Sequence, residues 1–206
     1  SVDTLARIDA AVASGLAVNL DAYPYTASST GLMLKFAAVA ERVLVTEADG
    51  APEQAGKYLH DIIAAWGCDM AGAVERLSPA KAVYFQMSED DLERILAHPA
   101  CMVGSDGMPS DKHPHPRLYG TFPRVLGHYC RERKLFELGR AVAKMTGLPA
   151  DCFGLRDRGR VAAGMAADIV VFDAGRIIDR GTYEAPVRAP EGIELVIIAG
   201  QVRHGG

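Results

Sequence analysis

The chain has 206 residues, of which 49% are hydrophobic and 23% charged, with a net charge of −4 at pH 7. This composition is typical of a globular protein with one domain, or with one domain and a small second one. Because there is no basic excess, we expect neither nucleic acid nor an anionic membrane as a partner. The apolar stretches fall well short of the ~18 residues of a membrane span. The four cysteines form no C-x-x-C pair, which favours reduced thiols and a cytoplasmic location.

The beginning of the chain predicts a helix followed by a strand, which is the half-repeat of an α/β barrel. Residues 3–14 carry an apolar stripe with helical spacing that stops at Gly15. Residues 16–25 are predicted as a strand that ends at Tyr23 and Tyr25, whose ordinary alternative role is packing at a barrel rim. We interpret the hydroxyl-rich residues 26–31 as a loop that either binds a carboxylate or caps the next helix.

Residues 32–80 do not fit this compact repeat, because about 50 residues separate two candidate strand ends where 2–6 are usual. An insertion at this place, with a predicted helix at 55–66, would lie over the mouth of a barrel as a cap. Further strands are predicted at 82–87 and 101–103, and helices at 89–97, 125–131, 135–146 and 150–155. Residues 167–172 and 195–202 are β-rich, with proline and glycine between them.

The segment from residue 102 to residue 117 holds the strongest candidate site. Its buried strand breaks at Gly104, so that Asp106 stands where a strand ends and a loop begins. Catalytic groups of α/β barrels collect at such positions. The basic residues of the segment are Lys112, His113, His115 and Arg117. A carboxylate facing these groups indicates a metal ligand or a general base beside an anion-binding group. A capping aspartate followed by a solvated, proline-rich loop is an equal alternative from the residues alone.

The same segment resembles a known family. Gly-Ser-Asp-Gly, followed by His-Pro-His-Pro-Arg-Leu-Tyr-Gly-Thr-Phe-Pro-Arg-Val-Leu-Gly-His-Tyr, is similar to the D-aminoacylase family of N-acyl-D-amino-acid deacylases. Residues 159–173, Gly-Arg-Val-Ala-Ala-Gly-Met-Ala-Ala-Asp-Ile-Val-Val-Phe-Asp, resemble the segment with which metal-dependent amidohydrolases re-enter a small β-domain. The resemblance covers nearly the whole chain, but only the C-terminal part of the longer family members.

The resemblance implies an α/β fold in two parts. Residues 1–158 would be the C-terminal part of a (β/α)8 TIM-like barrel with a cap inserted at about residues 32–80. Residues 159–206 would be a segment of a small β-sandwich.

The resemblance also implies roles for polar residues of the site. Asp106 matches the family aspartate that ligates the catalytic zinc and moves a proton from the attacking water to the leaving amine. Arg117 matches the arginine that holds the α-carboxylate of the substrate, a task that suits the two-point geometry of a guanidinium. Tyr23 and Ser29 match polar positions that touch the same carboxylate.

Tyr84 and Met87 match family positions that line the pocket for the substrate side chain, with core packing as their alternative role. Relatives specific for acidic D-amino acids carry an extra arginine shortly after the strand of Tyr23. Phe36 stands near that place here, with Lys35 beside it. The resemblance therefore argues against specificity for acidic D-amino acids but does not exclude it.

The other metal ligands of the family, namely an H-x-H pair, a bridging cysteine and two later histidines, are expected to precede Ser1. We therefore expect this chain alone to be inactive and to bind zinc weakly. We do not assign His113 and His115 to the metal, because their proline-rich loop is not the strand that carries the family's H-x-H pair.

The predicted function is zinc-dependent hydrolysis of small-molecule N-acyl-D-amino acids, performed by the longer enzyme. The alternatives are an N-acyl-D-glutamate or cyclic-amide hydrolase, and a truncated domain that only binds carboxylates or partners. The oligomeric state is not predicted.

Overall fold

A computed structural model describes residues 1–109 and 113–205, which fold into a mixed α/β structure with three small sheets. The helices are α1 (Val2–Ala13), α2 (Leu34–Ala37), α3 (Leu59–Trp66), α4 (Met70–Leu77), α5 (Glu89–Ala97), α6 (Arg117–Arg124), α7 (Leu138–Met145) and α8 (Gly147–Phe153). The strands are β1 (Leu20–Ala22), β2 (Ala27–Gly31), β3 (Arg42–Ala48), β4 (Ala80–Phe85), β5 (Cys101–Val103), β6 (Ile169–Phe172), β7 (Ile193–Ile198) and β8 (Gln201–Gly205).

The first sheet pairs β1 with β5 in parallel, and each of these strands follows a helix. Helix α5 begins where its sequence predicts, because the Ser88 side chain accepts a hydrogen bond from the Asp91 amide. Acidic residues in the first turn of α5 also favour this start, since the helix dipole is positive there. The ammonium group of Lys144, on α7, is buried and donates to the carbonyl oxygen of Cys101 at 3.0 Å. Strand β5 is therefore held from both sides.

The second sheet is antiparallel in the order β2-β4-β3 and corrects two predictions. The segment interpreted as a hydroxyl-rich loop is strand β2, which pairs with β4 from Ala27 opposite Phe85 to Gly31 opposite Lys81. Strand β3, which the sequence analysis did not predict, pairs along the other edge of β4. Its valines face a core that α3 and α4 complete. The predicted helix at 55–66 begins later, at Leu59.

The third sheet has the order β6-β7-β8. The segment 195–202, predicted to be β-rich, is divided between β7 and β8, which form an antiparallel hairpin. Its turn contains Ala199 at φ 51° and Gly200 at φ 76°. Two consecutive residues with positive φ are the geometry of the tight turns that favour hairpins.

Helix α6 continues directly into a π-helical segment, Val125–Glu132, and both pack against the connection between β6 and β7. A Cβ at Gly127 would lie 2.6 Å from Ile178 Cδ1 and closer still to the carbonyl oxygen of Ile177. Only glycine therefore permits this approach of the two backbones. Residues 177–184 of the β6–β7 connection thereby lie next to the first turn of α6.

Among residues 1–109 and 113–205, no helix is both long and apolar enough to cross a membrane. Cys68, Cys101, Cys130 and Cys152 all carry free thiols.

Candidate functional site

Asp106 lies in the loop that follows β5. Its backbone has a φ of 48°, in the left-handed region that non-glycine residues seldom adopt. The chain reaches this loop past Gly104, whose amide donates to the Ala22 carbonyl oxygen at 3.2 Å. A Cβ at Gly104 would lie 2.5 Å from the Asp21 carboxylate, so a side chain there would displace this carboxylate. The Asp106 side chain is 64% exposed and is thus accessible to a ligand.

Arg117, the first residue of α6, pairs with Asp106. The distance from Arg117 Nη2 to Asp106 Oδ2 is 2.7 Å, and the arginine side chain is only 3% exposed. Its guanidinium carbon lies 4.5 Å from the centre of the Tyr23 ring, a cation–π distance. Its Nε atom is buried and has no hydrogen-bond acceptor among the described residues. A buried donor without a partner is costly, so this edge of the guanidinium is suited to an anionic ligand.

Tyr23 borders the same guanidinium. Burial raises the pKa of its phenol, although the nearby Arg117 charge opposes the shift. The phenol therefore stays protonated at neutral pH and can donate a hydrogen bond to a carboxylate.

A cleft of ≈ 490 Å³ opens beside the pair, and its volume is suitable for a small molecule. Ser29 of β2 lines it, together with Asp106 and Arg117. Lys81 lies on the same wall and forms an ion pair with Glu47 at 3.1 Å. The cleft thus has charged groups of both signs beside hydroxyl and apolar groups.

Four of the six predicted site residues come together in this way, and two do not. The Tyr84 side chain is fully buried in the core of the second sheet. Its hydroxyl donates to the Gly31 carbonyl oxygen and accepts from the Met33 amide, both at 2.9 Å. Met87 is exposed just beyond β4. Neither residue lines the cleft beside Asp106, and their assignment to a side-chain pocket stays a prediction.

The two histidines of the proline-rich segment have structural partners. His113 Nε2 lies 2.7 Å from the Tyr183 carbonyl oxygen. Both ring nitrogens of His115 are in hydrogen bonds with the backbone, to the Ala27 carbonyl oxygen and the Arg117 amide. The loop is therefore buried at His115 rather than solvated. Lys112, the other basic residue named in the sequence analysis, lies outside the described residues.

The sequence analysis missed a buried polar cluster behind the site. Asp179, from the β6–β7 connection, accepts a hydrogen bond from Tyr25 Oη at 3.1 Å and pairs with Arg124 Nη1 at 3.3 Å. Arg124 Nε donates to the Pro24 carbonyl oxygen at 2.8 Å. Burial and the Asp179 carboxylate raise the pKa of Tyr25. No local signal reveals this cluster, because Tyr25 and Asp179 are 154 positions apart.

A metal at this site would need ligands beyond Asp106. The described residues contain no group of three or more histidine, cysteine, aspartate or glutamate side chains able to hold a metal ion. Asp106 offers one exposed carboxylate, which can contribute a single ligand.

Comparison with known proteins decides the family. The profile described as "Amidohydrolase family" matches residues 11–204. The chain belongs to the amidohydrolase family. This amidohydrolase chain is 53% identical over 200 residues to the N-acyl-D-glutamate deacylase of Alcaligenes xylosoxydans xylosoxydans. It is 48% identical over 200 residues to the D-aminoacylase of the same organism. Each match covers 97% of this chain and 41% of the relative.

A solved structure matches the amidohydrolase chain equally well. It is that of the N-acyl-D-glutamate deacylase from Bordetella bronchiseptica, complexed with zinc and a phosphonate inhibitor that mimics the tetrahedral intermediate. The TM-score is 0.96 at 48% identity, and the match covers 99% of this chain and 44% of the other. The mixed α/β fold is therefore shared, and the chain spans about two fifths of the length of these relatives.

Proposed function

We propose that this chain is the part of an N-acyl-D-amino-acid deacylase that carries the carboxylate-binding arginine and one metal-ligating aspartate. The observation that carries the proposal is the Asp106–Arg117 pair, set in a cleft of substrate size. The reaction is hydrolysis: a C–O bond forms from water, the amide C–N bond breaks, and a carboxylate and a free D-amino acid leave.

The proposal assigns each role to an atom. Arg117 binds the α-carboxylate of the substrate through its buried guanidinium, whose Nε has no acceptor among the described residues. Tyr23 stacks on this guanidinium and limits its movement. Ser29, which lines the same cleft, is a further hydroxyl donor. The Asp106 carboxylate accepts the proton of the attacking water and returns it to the leaving nitrogen.

The proposal includes zinc as the cofactor, because a related deacylase is a zinc complex. Asp106 fits as one ligand, since its exposed carboxylate lines the cleft from the loop that follows β5. When bound, zinc supplies a Lewis acid that polarises the amide carbonyl group and acidifies water. The further ligands would come from outside the described residues.

For the architecture, we propose part of a (β/α)8 barrel in residues 1–158, with a cap inserted at about residues 32–80, and part of a small β-sandwich in residues 159–206. The parallel β1–β5 pair supports the barrel, and the β2-β4-β3 sheet beside the cleft supports the cap. The four free thiols support a cytoplasmic location.

N-acyl-D-glutamate is the second candidate substrate, and the 53% identity to an N-acyl-D-glutamate deacylase favours it. Lys35 lies 4.8 Å from the Phe36 ring and does not line the cleft, whereas Lys81 does line it and forms an ion pair with Glu47. A panel of N-acetyl-D-methionine, N-acetyl-D-glutamate and a cyclic amide separates these substrates through kcat/KM.

The test uses the natural polypeptide that contains residues 1–206, loaded with zinc. Asp106→Asn is expected to abolish turnover and preserve the fold, because an amide cannot accept and return the proton. Asp157→Asn is the matched control, since Asp157 is 63% exposed and lies away from the cleft. Activity of Asp106→Asn close to that of this control would refute the assigned proton transfer.

Arg117→Lys tests the carboxylate site. Lysine keeps the charge and loses the two-point geometry, so kcat/KM for an N-acetyl-D-amino acid should fall roughly ten- to a hundred-fold. The α-amide of the same substrate should lose far less, because it has no carboxylate. The exposed Arg133 provides the control, Arg133→Lys. Equal losses for the acid and the amide would show that Arg117 does not bind the carboxylate.

A further inference from the structure

His115 is buried between two elements of the cleft. The residue is only 4% exposed. Its Nδ1 atom is 3.0 Å from the Arg117 amide nitrogen, and its Nε2 atom is 3.1 Å from the Ala27 carbonyl oxygen. An amide N–H only donates and a carbonyl oxygen only accepts. The ring is therefore neutral, with its proton on Nε2.

The surroundings preserve this neutral form. The ring meets the rings of Tyr25 and Tyr183 edge to face, at centroid distances of 5.3 and 5.2 Å, and Tyr23 lies at 6.1 Å. Burial, and then the nearby Arg117 charge, lower the pKa of His115 to about 3. His115 is thus a fixed part of the scaffold at neutral pH and does not carry protons.

The hydrogen bond to Arg117 acts on the start of α6. The first N–H groups of a helix have no partner within the helix. The residue before Arg117 is Pro116, which has no side-chain acceptor for them. His115 takes this place, so its ring fixes the direction of the first turn, from which the Arg117 side chain departs.

The hydrogen bond to Ala27 connects the same ring to β2, the strand that carries Ser29 into the cleft. One imidazole thus links the helix that begins at Arg117 to the strand that carries Ser29. The side chain of His113, two residues earlier, has a single hydrogen-bond partner among the described residues, the Tyr183 carbonyl oxygen.

We propose that neutral His115 is a positioning residue, which aligns Arg117 with β2 so that the guanidinium meets the α-carboxylate of the substrate. This inference rests on the proposed function, since it takes Arg117 as the carboxylate site. It assigns a different task to each ring nitrogen, and the two tasks can be separated by substitution.

The test compares three variants of the natural, zinc-loaded polypeptide. In His115→Asn, the amide oxygen stands near the place of Nδ1 and keeps an acceptor for the Arg117 amide. In His115→Gln, the amide nitrogen stands near the place of Nε2 and keeps only the donor to Ala27. His115→Leu keeps neither, and His60→Asn, at a 65% exposed histidine, is the control.

Activity is measured on an N-acetyl-D-amino acid and on its α-amide. His115→Gln and His115→Leu are expected to lose about ten-fold in kcat/KM for the acid, mainly through KM. The kcat/KM for the α-amide substrate should change little in these variants. His115→Asn should keep most of the wild-type kcat/KM for the acid. Equal losses in kcat/KM for both substrates would overturn the inference. So would equal kcat/KM values of His115→Gln and His115→Asn for the acid. If His115→Leu does not fold, the comparison of Asn with Gln decides alone.

A second measurement does not depend on activity. With 15N-labelled histidine, NMR of the wild-type protein should show the neutral Nε2–H form of His115 from pH 5 to pH 8. Hydrogen exchange of the Arg117 amide should be slow in wild type and in His115→Asn, and fast in His115→Gln. A charged ring at pH 6, or an amide that exchanges at the same rate in all variants, would overturn the inference. If the wild-type protein does not prefer the N-acetyl-D-amino acid over its α-amide, the proposed function itself is refuted instead.

Discussion

Replacing Gly120 by alanine is expected to destabilise the protein, although alanine is the better helix former. A Cβ at position 120 would lie 2.8 Å from Asp179 Cβ and closer still to Tyr25 Oη. The buried hydrogen bond between these two side chains would have to move. Overpacking costs roughly 1–3 kcal/mol, and weakening a hydrogen bond to a charged group costs roughly 1.5–3 kcal/mol. Since the helix propensity of alanine returns only about 1 kcal/mol, the net loss should be roughly 1.5–5 kcal/mol.

Helix α7 offers a matched control in Gly139, where a Cβ would have nothing within 4 Å. Gly139→Ala should therefore gain up to about 1 kcal/mol. Thermal unfolding of the two variants, followed by circular dichroism, should give melting temperatures that differ on the order of 10 °C. Adding Tyr25→Phe to Gly120→Ala should recover part of the loss, because the hydroxyl is the nearest obstacle. Equal melting temperatures for Gly120→Ala and Gly139→Ala would refute this reasoning.

Three further predictions concern acid, a buried lysine and zinc. The unfolded chain protonates His115 below pH ~6.5, whereas the folded chain does so only near pH 3, so acid favours unfolding. Below pH ~6.5, the contribution of His115 to the free energy of unfolding should fall by up to about 1.4 kcal/mol for each unit by which the pH is lowered. Urea titrations at pH 4.5–7 should therefore show a weaker pH dependence of this free energy for His115→Gln than for wild type. Lys144→Met removes the two hydrogen bonds that the buried ammonium group donates to the carbonyl oxygens of His98 and Cys101, and urea unfolding should show a loss of roughly 2–3 kcal/mol. For residues 1–206 alone, EDTA should leave the melting temperature unchanged, because their described part has no three-ligand group.

Each of these predictions has a clear contrary result. Parallel pH profiles for wild type and His115→Gln would mean that the ring is not held neutral. The exposed Lys134 provides the control Lys134→Met, and a similar loss there would show that the buried position of Lys144 does not matter. A chelator-dependent melting temperature of residues 1–206 would reveal a metal site of the chain's own.

The position of Asp106 and the helix before it could be predicted because their signals are local. The apolar run that ends at Gly104 became β5, and the Ser88 cap with its acidic first turn became α5. Strand β3 also had a local signal in the run Val-Leu-Val-Thr of residues 43–46. The sequence analysis passed over that signal because it treated residues 32–80 as an irregular insertion.

Other features depend on partners that are distant in sequence. Residues 27–31, Ala-Ser-Ser-Thr-Gly, lack the apolar alternation of a strand, and β2 exists because β4 pairs with it. The segment around His115 has four prolines nearby and resembles a surface loop in composition. Its burial arises from tyrosines at positions 23, 25 and 183, which meet only in the folded chain. Arg117 was assigned to that loop, but it begins a helix whose first amide His115 supports.

The β6–β7 connection has a consequence for attempts to exchange parts between related enzymes. Tyr183 packs on His115, and Glu184 accepts a hydrogen bond from Tyr58 Oη at 2.6 Å. A chimaera cut at the end of α8 would pair a foreign connection with these side chains. The natural unit of exchange is therefore discontinuous: residues 113–129 must be transplanted together with residues 177–184. Chimaeras that keep this pair intact should retain more thermal stability than chimaeras that divide it, even when the rest of the third sheet comes from another enzyme.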